Sequence, residues 1–107
     1  MKGNRVQLIG YVGSDLVVRN FQKTSNVRLR VATHYPHKSP SGTVEWKTVW
    51  HDVVAWDRMA KVAECNFVKG SRIMLEGSIH YRSFSDKNGH LRYVTEINAN
   101  SLLNLDR

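Results

Sequence analysis

A chain of 107 residues suffices for one domain with a real core, and one sheet must supply most of that core. Lysine and arginine number 16 against 9 aspartates and glutamates, a net charge of +7 spread along the whole length, so the charge belongs to a folded surface and not to a basic tail. The lone Cys65 excludes an internal disulfide and a cysteine-based zinc site; with no apolar run long enough to cross a membrane and no signal segment in Met1 to Arg5, a cytoplasmic protein is expected.

Along the chain the period is mostly two. Arg5 to Val12 alternates Val6, Leu8, Gly10 and Val12 against Gln7, Ile9 and Tyr11, and Gly10 and Gly13 allow this first strand to bend sharply. Asn26 to Thr33 sets Val27, Leu29 and Val31 on an inner face and Arg28 and Arg30 on the opposite one. Between Thr33 and Thr43 the run HYPHKSPSG holds both prolines and a glycine, the composition of a long exposed loop. Val44 to Trp56 is the third strand, and Trp46, Trp50 and Trp56 share its parity. Three indoles on one face are more than a closed core readily absorbs. A basic chain with such a face offers cations for phosphates and rings for the bases of a single-stranded nucleic acid.

Asp57 stands where it would cap a short helix running to about Asn66, with Met59, Ala63 and Phe67 near one side and Gly70 as a stop signal. Two strands follow, Arg72 to about Phe84 and Leu91 to about Ala99, separated by the hairpin signal Asp86-Lys87-Asn88-Gly89. Three strands, a helix and two strands are the layout of the OB-fold: an all-β, five-stranded Greek-key barrel with a short helix between the third and fourth strands. No repeat or linker divides it, so residues 1–107 read as one domain.

On these residues the chain resembles a known family. Thr48-Val49-Trp50-His51-Asp52-Val53-Val54-Ala55-Trp56, then Ala60-Lys61-Val62-Ala63, Lys69-Gly70-Ser71, Leu75-Glu76-Gly77 and Arg92-Tyr93-Val94-Thr95-Glu96-Ile97, look in order and spacing like the bacterial single-stranded DNA-binding proteins, from about Asn4 to Leu103. The resemblance implies an OB barrel, assembled as a homotetramer or at least a dimer, that coats single-stranded DNA on the bacterial nucleoid during replication, recombination and repair. It puts the stacking aromatics at Trp50, Trp56 and Phe84; His37 stands where the family often carries another tryptophan, with Tyr35 close by as a substitute, while Trp46 is not a usual family aromatic and either extends the platform or shields the base of the loop. Phosphate contacts are expected from Arg28, Arg30, Arg72, Arg82, Lys87 and Arg92. Parity independently sets Phe84 beside Arg72, His80 and Arg82, so a base there would stack among cations. His51 matches a family position at a contact between subunits, and Val6, Leu8 and Tyr11 resemble the family's dimer-forming edge. Family members usually continue into a flexible segment with an acidic tip that recruits other proteins, whereas this sequence stops at Asn104-Leu105-Asp106-Arg107, so tail-dependent replication and repair partners are not expected.

Enzymatic chemistry finds little support in the sequence. His51 and Asp52 are adjacent in a strand and point apart, and no nucleophile accompanies them. His34 and His37 lack nearby carboxylates or thiols for a metal, and there is no glycine-rich phosphate loop, so neither metal nor cofactor is expected. A different kind of binder is the alternative: an OB-fold adaptor subunit of a replication-restart complex, acting through protein contacts. Its aromatic face would be poor in cations, yet Arg28, Arg30, Arg72 and Arg82 fall where DNA would want them. A cold-shock-like RNA binder is a third reading, and DNA over RNA rests on the resemblance.

Overall fold

The computed structural model describes residues 3–107, so the part of the leader reading that falls on Met1 and Lys2 lies outside the described residues. Alternation in the sequence becomes six strands and one helix: β1 Val6–Val12, β2 Val17–Asn20, β3 Ser25–Lys38, β4 Val44–Trp56, α1 Arg58–Asn66, β5 Arg72–Ser85 and β6 Leu91–Asn104. Hydrogen bonding runs β1-β5-β6-β4-β3-β2, and β1 returns to β3 through Tyr11↔Ala32 and Val12↔Val31, which closes a five-strand barrel. β2 continues the path of β1 along β3, from Val17↔Arg28 to Asn20↔Ser25. The two are halves of one bent barrel strand, so the expected OB-fold stands with its first strand split. Gly10 makes the crossing possible, because a Cβ there would collide with the Ala32 carbonyl.

The inward parity of each strand builds the core: Val12, Val27, Leu29, Val31, Val53, Ala55, Ile73, Leu75, Ile97 and Ala99. Removing each large side chain from water contributes about 1.5–3 kcal/mol. α1 packs on β3, β4 and β6 and closes one end of the barrel with Ala60, Ala63 and Phe67, while Met59 packs against the same cluster.

Three expectations need correction. The segment from Thr33 to Thr43 is not a long loop: β3 runs through Pro36 and pairs with β4 down to Lys38↔Val44. Only Ser39–Thr43 turns, held by Ser39 N–H to the Thr43 carbonyl (2.8 Å) and by Gly42 at φ 88°. Beyond Ala32 the other edge of β3 has no strand partner among the described residues, which lets a residue without an N–H sit there. The resulting arm helps explain a radius of gyration of 15.8 Å, against about 13 Å for a compact chain of this length.

Second, β6 extends past Ala99 to Asn104, across a register shift where Glu76 faces Ser101 and Gly77 faces Ala99. Third, Asp57 does not cap α1. It adopts φ 51°, ψ −110° with no side-chain bond to the helix, and its Oδ1 accepts instead from the Thr24 hydroxyl (2.7 Å) and the Ser25 N–H (3.1 Å).

Those bonds, Thr24's first, hold the Asp57 carboxyl below its ordinary value. A depressed folded pKa contributes stability above the unfolded pKa that is lost as pH falls through the folded one. Asp57→Asn should therefore melt lower than the unmodified protein at neutral pH, with the gap closing as pH falls below the ordinary carboxylate range. Thermal melts across that range check it, and a constant gap would contradict the assignment. Asp57→Gly should cost less than Asp57→Ala, because glycine relieves the positive φ that alanine keeps.

Candidate nucleic-acid interface

The outward parity of β3 and β4 brings Arg28 and Arg30 beside Asp52 and Trp50, through the pairs Arg28↔Val54, Arg30↔Asp52 and Ala32↔Trp50. On β5 and β6 the same parity gives Arg82↔Val94 and Phe84↔Arg92. Between these two ladders lies a groove of about 400 Å³, lined by Arg28, Arg30 and Asp52 on one side, by Arg82, Val94 and Glu96 on the other, and by Ser14 and Asp15 of the β1–β2 connection. Two arms, β3–β4 and β5–β6, extend from it.

Two of the rings are each paired with a guanidinium. Arg30 lies 4.7 Å from the Trp50 ring centroid and Arg82 lies 5.6 Å from that of Phe84. Cations over π faces orient both partners and leave ring surface available. The Trp50 indole also rests on Gly13, where any Cβ would strike it, so the missing side chain makes room for the ring. Even so Trp50 remains 47% exposed, and Trp56 and Phe84 are comparably open. Trp46, at 69%, stands on the same face farther along the arm, opposite Pro36.

Glu96 was not singled out by the sequence reading. Its parity puts it on the outer face of β6, where an acid between basic strands looks like one more solvated carboxylate. It is only 7% exposed, and its Oε2 accepts from Arg28 Nη1 (2.7 Å) and Arg82 Nε (3.3 Å). Burial pushes its pKa up, but the hydrogen bonds and charges of Arg28 and Arg82 outweigh that and bring it below the ordinary value.

Other sequence candidates are distributed differently. Arg72 shares the outward parity of β5 but lies ten residues from Arg82, roughly 33 Å along an extended strand, facing Tyr11 across the β1–β5 ladder and away from the groove. Tyr35 has the parity opposite to Trp46 and Trp50, so it sits on the other face of its arm. Lys87 is in the β5–β6 turn, and Arg92 sits across from Phe84 with its Nε 2.9 Å from Asp86 Oδ2. Arg92's hydrogen bond first, then the N–H groups of His90 and Asn88, hold the Asp86 carboxyl below its usual value. In that turn Gly89 takes φ 78° while Asn88 does not become positive, so the Asn-Gly pair closes a longer loop than a two-residue hairpin.

Val6, Leu8 and Tyr11 do not share a face. Val6 and Leu8 point inward at the end of the barrel away from α1, around a cavity of about 270 Å³ with His51, Ile79, Thr95 and Ile97. There His51 Nε2 lies 2.9 Å from the Thr33 hydroxyl, and burial lowers its pKa against the opposing pull of Asp52. Tyr11 and Ile9 point outward, across from Arg72 and Met74, with Leu103 next to Met74. The arm of β5 and β6 also exposes Tyr81 and Tyr93 on its reverse face, a feature the sequence reading passed over. Among the described residues no group of three His, Cys, Asp or Glu side chains could hold a metal, and no helix is long and apolar enough to cross a membrane.

The model of the Single-strand binding protein family matches residues 3–105. The chain is 39% identical over 100 residues to a single-stranded DNA-binding protein of Bacteroides thetaiotaomicron, 40% over 101 to single-stranded DNA-binding protein 1 of Xylella fastidiosa, and 36% over 96 to single-stranded DNA-binding protein 1 of Chlorobaculum tepidum. These alignments take in 91%, 92% and 88% of this chain but 62%, 74% and 59% of those proteins, so it spans less than two thirds of two of them. Among solved structures it is similar to Plasmodium falciparum SSB in complex with ssDNA, with TM-score 0.89, 25% identity and 99% and 97% of the two chains covered. A deletion mutant of the single-stranded DNA binding protein from Thermus aquaticus shares the fold, with TM-score 0.81 and 24% identity over 95% of this chain and 50% of that one.

Proposed function

Because the chain belongs to the single-strand binding protein family, we propose that it binds single-stranded DNA without regard to sequence and protects it during replication, recombination and repair on the nucleoid. The observation that carries this is the pairing of Trp50 with Arg30 and of Phe84 with Arg82 at a groove that Arg28 also lines. Bases stack on the rings, and phosphates meet guanidiniums beside them. Stacking accepts any base and phosphate contacts read none, so binding is sequence-blind. Trp56 and Trp46 extend the platform, and Arg92 and Lys87 serve the strand beyond Phe84. Nothing in this chemistry requires bond making, so the protein acts as a binder. The adaptor reading calls for an aromatic face poor in cations; here two of the rings carry arginines. A fluorescence titration with oligo(dT), oligo(U) and duplex DNA at two salt concentrations tests the proposal: tight single-strand binding with indole quenching supports it.

The protein works as a homotetramer built from dimers. The Val6–Gly10 half of β1 pairs with β5 on one side and has no strand on the other among the described residues, and the adjoining outer face carries Ile9, Tyr11, Met74 and Leu103. A second copy covers a free edge and an apolar face together. Sedimentation at micromolar concentration should give a tetramer, or a dimer at the least. Ile9→Asp should shift the population toward smaller species, and a monomeric unmodified protein would refute the assembly.

A further inference from the structure

The floor of the groove holds an anion where a DNA-binding surface would be expected to hold none. Glu96 sits on β6 between two walls, Arg28 on β3 and Arg82 on β5, and one carboxylate oxygen accepts from both guanidiniums. Three charged groups therefore carry a net charge of +1 where the arginines alone would carry +2. Phosphates cannot take both arginines away from Glu96, since that would leave a buried carboxylate unpaired, which is strongly disfavoured. Each guanidinium keeps other N–H donors for the backbone of a bound strand.

We propose that Glu96 is a specificity-determining residue: it cancels part of the groove's charge, so that a polyanion without accessible bases, duplex DNA above all, gains too little from phosphate contacts to stay bound. This rests on the single-strand reading above. The phosphate contribution is common to single strands, duplexes and other polyanions, whereas stacking on Trp50 and Phe84 is open only to unpaired bases. The duplex, with its denser charge, gains more from each cation than a single strand does, so cancelling one lowers duplex affinity more than single-strand affinity. Glu96 also holds Arg28 and Arg82 in fixed positions, so its removal adds charge while loosening geometry that only a strand on the groove floor uses.

The test is Glu96→Gln, which keeps the shape and removes the charge, titrated with oligo(dT) and with a duplex of equal length over a range of salt. Duplex affinity at low salt should rise about three- to tenfold with a log-log salt slope steeper by about 0.9, while oligo(dT) affinity changes less than about twofold. The ratio of single-strand to duplex affinity therefore falls. An unchanged or larger ratio in folded Glu96→Gln would overturn the proposal. Should circular dichroism show that variant unfolded, Arg28→Gln decides instead. It leaves Glu96 and Arg82 neutral together and keeps Arg82 on Phe84, so duplex binding should drop more than oligo(dT) binding; a ratio that fails to widen overturns the proposal. If the unmodified protein itself does not discriminate, the single-strand reading fails and not this inference alone.

Discussion

Trp50→Ala and Phe84→Ala should each weaken oligo(dT) binding by about 1–3 kcal/mol, with nearly the same loss at low and high salt, because stacking releases few ions. Both rings are well exposed on the outward parity of long strands, so alanine removes contact surface without opening the core. Arg30→Ala should behave differently, flattening the log-log salt dependence by about 0.7 as one phosphate contact is lost. It should also release the Trp50 ring from its cation, so Arg30→Ala combined with Trp50→Ala should cost less than the sum of the two. Equilibrium titrations at two salt concentrations, with circular dichroism to confirm folding, check all three. Normal binding by folded Trp50→Ala would mean that this ring serves packing only.

Leu75→Ala should destabilise the barrel by about 2–5 kcal/mol. Leu75 is 1% exposed on β5, opposite Leu8 of β1 and Leu102 of β6, so truncation leaves a cavity at the seam of three strands. For a small domain of about 5–15 kcal/mol total stability this is a large part. Urea denaturation should show a lower midpoint at unchanged slope. A loss below about 1 kcal/mol would contradict the closed interior described above.

Period two made the barrel legible. Val27, Leu29 and Val31 against Arg28 and Arg30 is a pattern that the strand backbone converts directly into an inside and an outside, and Trp50 and Phe84 were placed by the same rule. Where alternation lapses, the sequence pattern no longer marks the strand. The alternation breaks after Ala99 because the bulge at Asn100 shifts parity, and Pro36 with Gly42 gives the β3–β4 arm the composition of a loop although cross-strand pairing carries it. Asp57 looks like a helix cap, and only its backbone conformation, held by Thr24 and Ser25, shows its side chain turned elsewhere. Glu96 was illegible for a different reason. Its burial depends on arginines 68 and 14 residues away, brought together by the parallel pairing of β4 with β6 and by the β5–β6 ladder. Val6, Leu8 and Tyr11 were grouped by resemblance, although their own parity already divides them.

The measurement that bears most directly on the central claim is intrinsic tryptophan fluorescence during titration with oligo(dT) and with a duplex of the same length, at low and at high salt. Stacking in a cationic groove predicts strong quenching and tight binding by the single strand, weak binding by the duplex, and a preference that survives added salt because the rings supply it. Equal affinities that fall together as salt rises would show that charge alone binds DNA here, and would contradict the account.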